Sequence, residues 1–576
     1  MYKSIKHVLS LSQFIDYFLF FLRNYRKMSR KIGHQELSIS NLALEINWLS
    51  GHLEWTITSL SICLFQKSTF YVHLSGSSFY PRLDMSYSEI RPLFFLFLSC
   101  CLQAMTNLAL AQAPLLATTD ATLIYNVQIV DIQSGIVQSN KAVLLKGGTI
   151  QNVGTYAALK RGIKSSHQIN GQGKYLIPGL WDMHVHIEGE DLMEDNLALM
   201  DVYLAYGITT VRDCASDLGE KVLQWRDEIN QGKRQGPQIF TAGRKLEGIN
   251  SVWKGDIEIG NERDLDSALQ MIDNYKVDFI KITENTLPGS LFLKSVQEAH
   301  KRGYLVTGHV PIDLTIDELA KAGFSAIEHA TYLLRLGNDE QRIVTMIREG
   351  KLAKGKAGEI YSSNFDQTRA IEGYKRMAQK GLAVTPTIIG GRQLAYLDRD
   401  NHQNDDFQKY LPQRFTDKYQ WRIERMAGET PEQSQQRKDQ VTLLMKQLPL
   451  VLDAGVLILA GSDAAALNTF VYPALSLHQE LEIFQEAGIK PAEILKTVIL
   501  NGPKFLGKSA RFGGIERGKE ADLVLLNQNP LINIKATQDI FAVVNNGTYY
   551  SRKTLDKMLH NAHQAKLRLD HERAKK

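Results

Sequence analysis

Cysteine is scarce in this chain of 576 residues. There are four, and Cys63, Cys100 and Cys101 all precede residue 112. Only Cys214 lies in the remaining body, so neither a disulfide framework nor a cysteine metal cluster can be built there. An excess of one charge is equally slight: 67 Lys/Arg face 62 Asp/Glu, and residues 1–111 hold ten of the former against six of the latter. The body is therefore close to neutral, which argues against a nucleic-acid partner or an acidic membrane surface. No Gly-rich phosphate loop, nucleotide fingerprint or catalytic serine elbow appears in a suitable setting. What is present, 44% hydrophobic and 22% charged residues, is the composition of a folded enzyme-sized body.

One long apolar run stands out, residues 92–113. It begins Leu93-Phe94-Phe95-Leu96-Phe97-Leu98 and ends Ala109-Leu110-Ala111-Gln112-Ala113, a small-residue pattern of the kind signal peptidase cuts. With Met85 as its start and Arg91 as a weak basic flank, 85–111 reads as a signal peptide and 1–84 as a non-domain N-terminal extension. A secreted or periplasmic location follows, with no stable membrane span in the mature form. The competing reading is an uncleaved membrane anchor, since about 20 apolar residues can cross a bilayer. Gln103, Thr106 and Asn107 weaken that span.

From Ala121 the pattern changes to short β-branched runs separated by Gly and Asn turns, as in an antiparallel sheet. Matching runs return only at 521–526 and 540–544. Between them, strand-like segments at 176–185, 209–212, 238–242, 279–282, 305–309, 326–329, 384–388 and 456–460 alternate with helical stretches. That alternation predicts parallel strands joined by helices, and eight is the number that closes a (β/α)8 TIM barrel. The intervals 331–382 and 390–447 are long and polar, the second with a charged aromatic segment at 396–425. They are expected to form lids or substrate walls over the C-terminal rim.

The strongest local signal is His184-Val185-His186. Residues two apart in an extended segment point to one side, so both imidazoles can converge on one ion. His309, His329 and Asp463 each end another predicted strand. In a parallel barrel those ends share one rim, and imidazole with carboxylate suits a borderline divalent ion. Lys281 interrupts the apolar run 277–282, where an unpaired ammonium is costly. Burial favours its neutral amine, which can take up carbon dioxide and become an anionic oxygen ligand. The alternative is a lysine whose end reaches the rim and pairs with a carboxylate.

The ordered set His184/His186, Lys281, His309, His329 and Asp463 resembles the amidohydrolase superfamily, specifically the imidazolonepropionase-related metal-dependent amidohydrolases. The likeness covers nearly all of 120–550 and includes Gly207-Ile208-Thr209-Thr210-Val211-Arg212-Asp213, Gly308-His309-Val310-Pro311, Ile327-Glu328-His329 and the segment 514–524. The resemblance implies an α/β fold with a (β/α)8 barrel over 179–507 and a small composite β-sandwich from 112–178 and 508–560. A charged C-terminal tail, 561–576, would follow. It also implies one zinc held by His184, His186 and Asp463 and another by His309 and His329, with Lys281 carboxylated between them. A mononuclear site using the first group plus His309 is the alternative.

The expected reaction is hydrolysis of an amide-like C–N bond in a small molecule, a cyclic amide, an N-acyl amino acid or a dipeptide, by a metal-activated hydroxide. Asp463 is the general base, and His329 polarises the carbonyl in a mononuclear version. An esterase, lactonase or phosphotriesterase on the same centre is the runner-up, and a non-catalytic binding protein the alternative of another class. Where many relatives have Gly-Gly-His after the third strand, this chain has Gly243-Arg244-Lys245. Arg244 or Lys245 can hold a substrate carboxylate there, or face water as ordinary rim charges. Asp182, Arg212 and Asp213 are expected to support the rim, and His478 to pack or face solvent rather than bind metal. Substrate identity and homo-oligomerisation stay open.

Overall fold

A computed structural model describes residues 60–65, 69–74, 121–161, 163–164 and 167–575. The signal-peptide segment 85–111 and most of the extension 1–84 lie outside these residues. The chain divides into two units, 1–114 and 115–576. In the first, β1 (Leu60–Phe65) and β2 (Thr69–Leu74) pair antiparallel.

The second unit begins with β3 (Thr122–Asp131), β4 (Ile136–Lys146), β5 (Thr149–Gly154), β6 (Gln168–Asn170) and β7 (Tyr175–Pro178). Alternation along the strands decides what each face buries. Leu176, Leu523 and Leu525 join Ile124 and Val143 in one core, whereas Ile177, Val524 and Leu526 turn the other way into the main core of the barrel. The sheet thus folds over its own core on one side and packs against the barrel on the other.

The barrel opens with β8 (Leu180–Val185) and continues through β9 (Ile208–Asp213) and β10 (Gln238–Thr241). Two three-residue strands, β11 (Leu246–Gly248) and β12 (Ile257–Ile259), precede β13 (Ile280–Ile282), β14 (Val306–Gly308), β15 (Phe324–Glu328) and β16 (Ala383–Thr385). All pair in parallel, in one sheet of three strands and one of six. Individual backbone hydrogen bonds span the two gaps. The Asp278 N–H donates to the Thr241 carbonyl, linking β10 to the start of β13, and residues 456–464 bridge β16 to β8 through Val384↔Ile458 and Val185↔Ala464. The eighth strand foreseen at 456–460 is therefore a bridged extended segment rather than a regular ladder.

Residue 176–185, read from the sequence as one strand, is cut at Gly179. Its first part pairs with the sandwich strand β17 (Leu523–Leu526) and its second with β9. A Cβ at Gly179 would run into the Thr209 side chain, so only glycine lets the chain pass from one sheet to the other here. Trp181, Met183, Phe240, Ala326, Ala383 and Leu459 fill the barrel interior, joined by Phe512. Glu328 and Thr385 come two residues further along β15 and β16, on that same inward side.

The long intervals are helical. After β15 come Glu340–Arg348, Ala357–Ser363 and Gln367–Gln379, and after β16 come Ile388–Ala395, Gln420–Ala427 and Pro431–Asp453. The last is entered through a capping box of Thr430 and Gln433. The sheet is completed by β18 (Ile540–Asn545) and β19 (Thr548–Ser551). Residues 561–574, read as a charged tail, instead continue the helix Arg552–Ala574. Its buried Leu555, Met558, Ala562 and Leu569 give it an apolar docking face that net charge conceals.

Candidate active site

Five of the six residues singled out as metal ligands converge at the strand ends. His184 lies within a register irregularity between Asp182 and Val185 in β8 and is buried, as is Met183 before it. The Nε2 atoms of His184 and His186 are 3.3 Å apart, and each is 3.3 Å from Asp463 Oδ1. His329 Nε2 lies 3.2 Å from His309 Nε2, and its Nδ1 is 3.9 Å from Asp463 Oδ2. Asp463 therefore stands between the two histidine pairs. Lys281 is buried, with an Nζ that has no hydrogen-bond partner, and its charge acts on His184, His186 and His329.

Hydrogen bonds on the far side of the rings set the tautomers. His184 Nδ1 donates to Glu328 Oε2 at 2.9 Å, His186 Nδ1 to the Ala215 carbonyl at 3.0 Å and His309 Nδ1 to Glu284 Oε2 at 2.9 Å. The Nε2 lone pairs are thereby turned toward one another. Neutral imidazoles meeting this way repel unless a cation lies between them, and histidine with a carboxylate or carbonyl behind it is the usual dress of a metal ligand. The donor set fits a divalent metal.

The electrostatics agree. Burial lowers the His184 pKa to about 4 and holds His329 well below its ordinary value, so both are neutral bases. Against the cost of burial, positive charge on the neighbouring histidine rings, His184 first, moves Asp463 far below the usual carboxylate range. His186 moves the other way: burial lowers it, but its hydrogen bond to Asp463 prevails and raises it. His329, Thr387 and Asp463 all carry left-handed backbone, with φ of 77°, 48° and 61°. Such strain in non-glycine residues gathers where a site fixes side-chain direction. Thr387 Oγ1 in turn meets His329 Nδ1 at 2.7 Å.

The supporting residues act as expected. Asp182 accepts from the N–H groups of His184 and Ser462 and from the Ser462 hydroxyl, tying the two ligand-bearing segments together. Asp213 accepts from the Ile187 N–H and from Thr241 Oγ1. Arg212 donates to both Glu328 oxygens, at 2.8 and 2.9 Å, and to the Met183 carbonyl. Glu328, Glu284 and Thr387 were not singled out from the sequence. Of the two rim cations after β10, Lys245 is paired with Asp256 at 2.6 Å and Arg244 donates to the Gly255 carbonyl. His184, Cys214 and Glu328 also lie close together, but Arg212 already occupies that carboxylate and burial pushes the Cys214 thiol up.

Comparison with known proteins places this arrangement. Adenine deaminase of Staphylothermus marinus is 25% identical over 247 residues, 40% of this chain and 40% of that protein. Ochratoxinase of Aspergillus niger is 22% identical over 499 residues, 76% of this chain and 88% of its own length. Among solved structures, a Xaa-Pro dipeptidase with bound methionine in the active site superposes with a TM-score of 0.54 at 21% identity, covering 75% of this chain and all of that one. The profile of the amidohydrolase family matches residues 175–551. It matches the family as a whole, so the narrower likeness to imidazolonepropionases rests on sequence motifs alone. This chain belongs to the amidohydrolase family.

Proposed function

We propose that the protein hydrolyses an amide-like C–N bond of a small molecule at a zinc centre, with His184, His186 and Asp463 holding one ion and His309 and His329 a second. The observation that carries this reading is the Asp463 carboxylate set against the Nε2 atoms of His184 and His186 and beside His329, whose own Nε2 meets that of His309. Lys281, once carboxylated, would be a further ligand. A bare ammonium without partners is costly at its depth. Its neutral amine adds carbon dioxide, forming an N–C bond and releasing one proton, and the resulting carbamate is an anion with two ligand oxygens.

These residues would hold a divalent ion, whose chemistry when bound would be to acidify water toward neutral pH and polarise a carbonyl. Asp463, kept ionised by its histidine neighbours, takes the proton from the attacking water and returns it to the departing amine. His329, kept neutral by burial, faces that carboxylate and completes the polar wall. Glu328 and Glu284 hold the ring orientations throughout.

The test combines metal content with turnover. Zinc-loaded protein is expected to release amine from at least one of a panel of N-acyl amino acids, dipeptides and cyclic amides, and chelation to abolish it. Asp463→Asn should lose at least a thousandfold in kcat. Near-normal turnover by that variant with metal bound would remove Asp463 from the role of base. Hydrolysis of lactones or phosphotriesters alone would move the reaction away from C–N bonds. For Lys281, a carbamate signal from 13C-bicarbonate in the wild type, absent in Lys281→Met, is the expected result.

A further inference from the structure

We propose that Arg422 is an anion-binding residue of this active site and that the substrate presents it with a carboxylate alongside an apolar or aromatic group. The inference rests on the hydrolase reading for the identity of the site, but its basis is separate. Arg422 lies on the helix Gln420–Ala427, in the insertion after β16. Its Nε donates to the Leu467 carbonyl at 2.9 Å and its Nη2 to Asn468 Oδ1 at 2.6 Å. Both acceptors are neutral, and both sit on the loop that follows Asp463. Asn468 Nδ2 closes the circuit by donating to the Asp463 carbonyl at 2.6 Å.

What the guanidinium lacks is a counter-ion. Among the described residues, the carboxylates that act on it are Asp463 and Glu188, and neither forms an ion pair with it. Arg392, Arg399, Arg414 and Arg437 of the same insertion are each paired with a carboxylate, whereas Arg422 and the more exposed Arg425 lie over the Trp421 ring, at 4.9 and 5.3 Å from its centroid. Arg422 is the more enclosed case, and burial lowers its pKa. A cation partly withdrawn from water without an anion is unfavourable, and clefts that hold one are candidates for binding anionic ligands. No described residue accepts from Nη1, so that end of the planar fork is available to a carboxylate.

The surroundings specify the rest of the ligand. Trp421 donates its Nε1 to the same Leu467 carbonyl and meets Trp253 edge to face, with ring centroids 6.1 Å apart. Trp253 belongs to the loop between β11 and β12, which also exposes Ile249 and Val252. Through Trp421, over which the Arg422 guanidinium lies, the arginine is joined to Trp253 and so to a loop that carries apolar surface. Of the other cations nearby, Lys245 is paired with Asp256 and Arg425 lies over the Trp421 ring. An N-acyl amino acid or a dipeptide with an apolar side chain carries the required groups, and a neutral cyclic amide does not.

The experiment uses the full chain after chelator treatment, so that no cation can capture the ligand and no turnover consumes it. Binding of N-benzoyl-L-phenylalanine and of its carboxamide is measured by calorimetry. The wild type should bind the acid at least tenfold more tightly than the amide, and Arg422→Gln should bind both alike, consistent with the ten- to hundredfold worth of a charge-assisted hydrogen bond (about this order). Arg422→Lys, which keeps the charge without the fork, should retain part of the preference and shows that loss in the Gln variant is not misfolding. Equal binding of acid and amide by the wild type, or a preference that survives in Arg422→Gln, overturns the proposal. Turnover by the zinc-loaded enzyme is scored apart: a zinc-loaded enzyme that hydrolyses nothing while the acid–amide preference stands sinks the hydrolase reading and leaves the anion site in place.

Discussion

At Glu328 one carboxylate serves two buried partners. It accepts from the Arg212 guanidinium and from His184 Nδ1, and all three residues are sealed from solvent. Against the cost of burial, Arg212 and His184 hold it well below the usual carboxylate range. Glu328→Gln leaves an uncompensated buried guanidinium, at a cost of about 3–5 kcal/mol, and frees the His184 ring to change tautomer. The expected outcome is a lower melting temperature together with a roughly 10–100-fold weaker zinc affinity, read by competition with a chromophoric chelator. Unchanged affinity in a folded variant would show that His184 does not depend on this support. The histidines themselves were legible because rare, chemistry-bearing residues sat at the ends of apolar runs. Glu328 was not, because nothing in a linear pattern indicates that it faces an arginine 116 positions away.

Single strands were legible where apolar runs were bounded by turns, as in β9, β10 and β13. The short β11 and β12 were missed, since three residues carry no measurable period. The cut at Gly179 was hidden for a different reason: β7 and β8 are both fully or mostly buried, so no change of periodicity marks the point where the chain changes sheets. The requirement there is steric. Gly179→Ala forces Cβ against the Thr209 side chain at the junction of two sheets. Overpacking of this kind costs typically about 1–3 kcal/mol, so the midpoint of urea unfolding should fall while the slope is kept. A Thr209→Ala, Gly179→Ala double variant, which removes the threonine oxygen and methyl that the new Cβ would meet, should recover some of the loss. No recovery would show that the backbone, and not the threonine, sets the limit.

On the scale of the whole unit, segments far apart in sequence are fastened by buried polar contacts that net charge and composition do not reveal. His478, on the helix Leu475–Glu486, is one such fastening, and of packing and solvent exposure, the two roles expected of it, the structure shows packing. Its Nε2 donates to the Tyr206 carbonyl and its Nδ1 meets Thr537 Oγ1, each at 2.9 Å, joining a barrel helix to the turn before β9 and to the segment leading into β18. Burial lowers the pKa of this histidine to about 4, against an ordinary value of 6.5. Above pH 6.5 it is neutral in both folded and unfolded chains and adds no pH dependence. As the pH falls from 6.5 to 4 the unfolded chain takes up a proton that the folded chain refuses, so stability is lost through that window and the loss levels off below it. The interval of about 2.5 units corresponds to roughly 3 kcal/mol. His478→Gln gives up part of the hydrogen bonding at every pH but cannot take up the proton, so its stability relative to wild type should rise by about that amount between pH 6.5 and 4. Chemical denaturation at a series of pH values measures the difference directly, and parallel curves for the two proteins would refute the assignment of acid sensitivity to His478.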